Sequence, residues 1–138
     1  MKAKQVYTVE VIKLLDDTEV TVRPFSIKKN RLAKAKLDRI ITPEILQDEA
    51  GEPILDEDGD EQPYEMTDEE AETLLLDVVE MAVASQHEHL QDREVLEDVV
   101  DTLTAYEIIK VTTGYDFLEM QARMRRMMEK QMEGSNLV

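Results

Sequence analysis

The chain has 138 residues, enough for one domain with one modest core, and 42% of them are hydrophobic, which predicts a folded chain. It contains no Cys and no Trp, so disulfides, Cys nucleophiles and thiolate metal sites are excluded, and the core must come from Leu, Val, Ile, Ala and Met. The net charge of −16 is uneven: ten Lys/Arg against five Asp/Glu in residues 1–41, one Arg against 22 acids in 42–101, and five of each in 102–138. So acidic a chain repels nucleic-acid backbones over most of its surface, while its basic end suits an acidic partner, including the acidic middle of another copy.

No apolar run reaches the length of a membrane span, and MKAKQVYTVEV lacks the apolar stretch of a signal peptide. The expectation is a protein without membrane contact, made where it acts.

In chain order, residues 1–25 predict a β-hairpin. The stretch 5–15, QVYTVEVIKLL, reads as a strand with Tyr7, Val9 and Val11 on one face. Asp16-Asp17-Thr18 is the turn, and 19–25, EVTVRPF, returns with Val20 and Val22 on one face until Pro24 marks the strand end or an edge.

Residues 26–41 predict a basic helix with Ser26 as N-cap, ended by Pro43; its apolar positions Ile27, Leu32, Ala35, Leu37 and Ile40 are unevenly spaced. Residues 42–66 predict an acidic flexible loop. DEAGEP and DEDGDEQP are turns flanking Ile54-Leu55, which leaves room for a small hairpin, and the whole segment reads as mobile and dispensable.

Residues 67–114 predict the helical core. Thr67 and Glu70 form a capping box before the broad stripe Ala71, Leu74, Leu75, Val78, Val79, Ala82, Val83. Asp92 caps a short helix carrying Val95, Leu96, Val99 and Val100. Thr104 and Glu107 give a second capping box, and Gly114 is the stop. Asp116 and Glu119 start a last helix that reaches about Glu133, before a loose tail at 134–138. The fold class is therefore α+β: an N-terminal β-hairpin, then a mainly α-helical bundle of about five helices with an acidic loop insertion, all in one domain.

The residues that carry chemistry are few. His87 and His89 are spaced i, i+2, which points them apart on a helix, whereas helical zinc sites use i, i+4. They read as exposed residues at a helix C-terminus, favoured there by the dipole, with Glu88 and Asp92 as weak candidate co-ligands. Asp56-x-Asp58-Gly59-Asp60 fails the EF-hand pattern, because position six is Glu61 and position twelve is Thr67; a solvated acidic loop is the reading, with weak cation binding as its alternative. Nucleotide-binding and nucleophile-elbow motifs are missing from the sequence, and it assembles no nucleophile, base and oxyanion site. No catalytic residue, metal ligand or cofactor is assigned, and the chain reads as a non-enzyme.

The feature above background is a stripe in residues 115–133. Phe117, Met120, Met124, Met127, Met128 and Met132 share one helical face, with Arg123, Arg125, Arg126, Glu129 and Lys130 filling much of the rest. Two readings stand: the helix folds back to complete the core, or its flexible methionines form a partner-binding or self-association surface.

Taken together, LLDDTEVTVRPFSIKKNRLAKAK and DREVLEDVVDTLTAYEIIKVTTGYDF resemble the tail assembly chaperones of long-tailed (siphovirus-type) bacteriophages. The first is similar to the family's opening hairpin and the strand leading into a helix, the second to its later helices ending at Gly. The match spans 11–36 and 92–117. It departs in the turn Asp16-Asp17-Thr18, in Thr112-Thr113-Gly114, and in the length of the acidic loop and the Met-rich helix. The resemblance implies a non-enzymatic protein that coats the tape measure protein before the tail tube polymerises around it. It implies location in the cytoplasm of the infected host, absence from the mature virion, self-association, and the tail tube protein as a further candidate partner. In many members a longer form arises by ribosomal frameshifting. Two rivals remain: an acidic DNA mimic occupying a basic partner, and a small metal-dependent hydrolase using His87 and His89.

Overall fold

The computed structural model describes residues 9–42 and 44–135, with side chains through residue 130. The expected strand segment at 5–8 with Tyr7, the stop at Pro43, the side chain of Met132 and the tail beyond 135 lie outside the described residues. The order is β1 (Glu10–Lys13), β2 (Glu19–Val22), α1 (Ile27–Ile41), α2 (Asp68–Val83), α3 (Arg93–Val99), α4 (Thr102–Thr113) and α5 (Phe117–Ser135). The chain is thus α+β, with an antiparallel hairpin ahead of five helices.

The hairpin register pairs Ile12 with Val20 and Glu10 with Val22. Directly opposed residues share a face, so Ile12 joins the face of Val20 and Val22, and that face enters the core with Leu14. Val9 and Val11 point outward. Apolar residues occupy both faces of β1, so alternation alone does not say which face enters the core, and the register decides it. The turn places Asp17 at φ 67°, and the Leu14 N–H donates to the Thr18 carbonyl at 2.8 Å.

Ser26 caps α1 by accepting the Lys29 N–H. Its core face is Ala33 and Leu37, flanked by the half-buried Ile40. Ile27 is 82% exposed, and Leu32 and Ala35 also face water, so three of the five unevenly spaced apolar positions lie outside. Their side of the helix has nothing packed on it that would bury them.

Helix α2 is the centre, as its stripe predicts. Thr67 caps it by accepting the Glu70 N–H, and Leu74, Leu75, Val78, Val79 and Val83 are buried. Val79 and Val83 meet Leu14, Val20, Val22, Leu90, Leu96 and Ile108 in one cluster. Leu75 and Val78 meet Ala33, Leu37, Ile109 and Phe117 in a second. The two clusters lie on opposite flanks of α2 and α4, so those helices form the common wall.

After α2 the chain makes two 3₁₀ turns, Ala84–Gln86 and Glu88–Gln91, before Asp92 caps α3. Helix α4 begins earlier than its expected capping box. Its cap is Asp101, whose Oδ1 accepts the Thr104 N–H at 3.1 Å. A carboxylate caps as well as a hydroxyl, and Val100 alone separates α3 from it. Gly114 ends α4 in the left-handed region at φ 85°, donating its N–H to the Lys110 carbonyl. Asp116 then starts α5 by accepting the Glu119 N–H at 3.0 Å.

The acidic segment 44–66 is hydrogen-bonded along its length rather than an open loop. Three short legs are bridged at Ile45–Pro63, Gln47–Pro53 and Leu55–Glu61. Two near-repeats build the bends between them. Asp48 Oδ1 accepts the N–H groups of Ala50 and Glu52, and Asp56 Oδ1 accepts those of Asp58 and Asp60. Gly51 and Gly59 supply the positive φ that each bend needs. Tyr64 fastens the unit to α2 by donating its hydroxyl to Glu70, which holds the phenol's pKa above its usual value.

Candidate interaction surfaces

The histidine region resolves into a structural tie. Gln86 Oε1 accepts the Thr21 N–H at 2.8 Å, and its Nε2 donates to the Thr21 carbonyl at 2.7 Å. His87 Nε2 lies 2.8 Å from the Glu19 carbonyl. His89 Nε2 lies 3.0 Å from Thr18 Oγ1 and 3.2 Å from Asp16 Oδ2. The Thr18 hydrogen bonds hold Asp16 below the usual carboxylate range, and His89 adds to the effect. The rings, with centroids 5.7 Å apart, therefore serve the hairpin rather than a helix dipole, since α2 has ended at Val83. Among the described residues no three His, Asp or Glu side chains gather as a metal would require. In the Asp56–Asp60 bend the Asp56 oxygen is occupied by backbone N–H groups.

The one base of the acidic span is also committed to the fold. Arg93 is hydrogen-bonded to Asp77 and lies 3.1 Å from Glu80, while Lys36 reaches Asp77 from α1 at 3.2 Å. Burial alone would push the Asp77 carboxyl up, but Arg93 and Lys36 outweigh it and hold it below its usual value. This network ties α1, α2 and α3. The sequence carried one signal for it, the isolation of Arg93 among 22 acids. With Arg93 used, no acid of segment 44–66 has a Lys or Arg within ion-pair distance among the described residues.

The predicted stripe divides in two. Phe117 is 7% exposed and belongs to the core, stacked on Tyr106 at 5.4 Å between ring centroids and packed against Ile109 and Leu37. It is spent on the chain's own interior and is not part of a free surface. Tyr115 reinforces that corner: its hydroxyl donates to Asp38 at 2.8 Å, which holds its pKa above the usual value, and Lys34 sits over its ring. Met120 is half-buried, and Met124, Met127 and Met128 are 63–64% exposed. Every side chain from Arg123 to Lys130 faces water. Helix α5 is thus anchored by its first turn and by Gln121, which reaches the Tyr106 hydroxyl, while its side chains from Arg123 to Lys130 are exposed.

A second surface lies between α2 and the α3–α4 junction, a groove of about 570 Å³. Leu75, Leu76, Val100 and Ala105 form its floor. Exposed Glu69 and Glu72 stand on the α2 side, and exposed Glu97 and Asp101 on the other. Sequence reasoning did not find it, because its walls come from elements about 30 positions apart.

No described helix is long and apolar enough to cross a membrane. No family model, curated protein or solved structure matches the chain.

Proposed function

We propose that this chain is a non-enzymatic tail assembly chaperone of a long-tailed phage, which holds the tape measure protein in the host cytoplasm while the tail tube forms. The observation that carries the reading is the exposed methionine face of α5. Met is unbranched and polarizable and adapts to varied apolar partners, and the face of Met124, Met127 and Met128, each 63–64% exposed, suits a long helical client. The two stretches that resemble the family also share a core. Leu14, Val20 and Val22 of the first pack with Leu96, Val99 and Ile108 of the second, and the Phe25 N–H donates to the Thr112 carbonyl at 2.9 Å. The stretches therefore act as one scaffold that presents α5.

The test is co-expression with the tape measure protein from the same genome, scored by its recovery in the soluble fraction and by co-purification. The expected result is a complex that is lost when Met124, Met127 and Met128 are changed to Glu, in a variant that still folds. Recovery of the client unaffected by this chain would overturn the reading.

A DNA-mimic function is the second reading, favoured by the acids of segment 44–66, none of which has a Lys or Arg within ion-pair distance among the described residues. It requires capture of a basic nucleic-acid-binding protein that weakens steeply with salt, whereas a methionine-held client stays bound.

A further inference from the structure

The exposed part of α5 is an amphipathic helix without a cover. Helices of this length are marginal in water without tertiary packing, and a bare row of methionines is an apolar patch that favours a partner. Helical periodicity places Arg123 and Arg125 on the two flanks of the stripe, with Arg126 and Lys130 further round. Residues 117–130 carry these four cations against Glu119 and Glu129, a net of +2 in a chain of net −16. Arg125 and Lys130 have no carboxylate within ion-pair distance among the described residues.

The groove between α2 and the α3–α4 junction has the reciprocal pattern. Its floor is apolar, and an acidic wall stands on each side, Glu69 and Glu72 facing Glu97 and Asp101. None of these four carboxylates has a Lys or Arg within ion-pair distance among the described residues. Among the described residues none of the chain's own α5 lines the groove, because the first turns of α5 lie on the Tyr106 side of α4, where Gln121 reaches the Tyr106 hydroxyl.

We propose that the methionine face of α5 from one copy seats in the acid-walled groove of a second copy, with Arg123 and Arg125 set against the two walls. The mode is a helix laid in a groove, with apolar contact supplying affinity and the paired charges fixing register. The contact covers the stripe of one molecule with a surface that every molecule carries, and it does not depend on the identity of any client. Under the proposed function, a client helix and a second copy compete for the same methionines.

The test is sedimentation of the full chain across concentration and salt, with a charge exchange. The wild type is expected to exceed the monomer mass and to associate more weakly as salt screens the charge pairs, without losing the apolar contact. Glu72→Lys with Glu97→Lys reverses the walls, and Arg123→Glu with Arg125→Glu reverses the helix. All four residues are exposed, and circular dichroism checks that each variant keeps its helices. Each reversal alone should weaken self-association by about tenfold or more. An equimolar mixture of the two variants should regain a complex that neither forms alone. Three results overturn the proposal: a wild type that stays monomeric up to about 1 mM, well above micromolar protein affinities; self-association unmoved by both reversals; or a mixture that fails to reassociate. Client capture can succeed or fail independently of all three.

Discussion

Helices α2 and α5 carry the same sequence signal and meet opposite fates. Both begin at a clear cap and repeat apolar residues every three or four positions. Leu74, Leu75, Val78, Val79 and Val83 of α2 are buried on two flanks by β2, α1, α3 and α4, whereas Met124, Met127 and Met128 of α5 face water. Periodicity states which face of a helix is apolar. It does not state what covers that face.

The comparison is broken first at Phe117, the residue at which α5 still behaves like α2. Phe117→Ala should cost about 3–5 kcal/mol, as truncation of a buried Phe does, read from urea unfolding. Removing everything after Gly114 should be at least as damaging, since it also strips Tyr115. Ending the chain after Arg123 should leave a folded protein. A fragment that stops at Gly114 and remains as stable as the whole would place Phe117 outside the core.

The anchoring of α2 is tested at Asp77. Asp77→Asn should destabilise by about 1–3 kcal/mol, because it removes the carboxylate shared by Lys36 and the partly buried Arg93 and leaves Arg93 with Glu80 alone. The carboxyl is held low in the folded state, so its contribution is present above the unfolded value near ~3.9 and fades as pH falls through the lower folded value. The gap between wild type and variant should therefore narrow in acid. A gap that widens below that pH would reverse the assigned sign.

Segment 44–66 separates the two helices' behaviours further, since it is hydrogen-bonded yet leaves Ile45, Ile54 and Leu55 exposed. Replacing residues 46–62 by a short Gly/Ser link should cost about 1 kcal/mol or less. A collapse of the melting temperature would mean that its apolar side chains are part of the core.

The smallest effect belongs to the far end of α5. Met127→Ala should change stability by about 0.5 kcal/mol or less in dilute protein. A loss like that at a buried α2 position would show that the stripe is already covered within one chain.

Much of the fold was legible because local chemistry decided it. Ser26, Thr67, Asp92, Asp116 and Gly114 each fix a helix end by a hydrogen bond or a backbone angle within a few residues. What was missed depends on residues far apart. The face of β1 that enters the core is set by pairing with β2. The cap of α4 went to Asp101 because two capping signals lay three residues apart and both fit the chain. Phe117 shares the methionines' periodicity, and only the position of Tyr106 and Leu37 shows it to be buried. The roles of Gln86, His87 and His89 require a contact about 70 positions away, which no spacing rule contains.

That last contact has a consequence for how the molecule can bind anything. A two-stranded sheet has an outer edge on β2, whose free N–H and C=O groups would ordinarily accept another strand. Here the Thr21 N–H and carbonyl are both taken by Gln86, and the Glu19 carbonyl faces His87. One glutamine side chain does the work of a third strand and closes that edge to β-addition. An extended segment of a client or of a misfolded neighbour therefore meets both backbone groups of Thr21 and the Glu19 carbonyl already engaged, which leaves recognition along that side of the hairpin mainly to side chains.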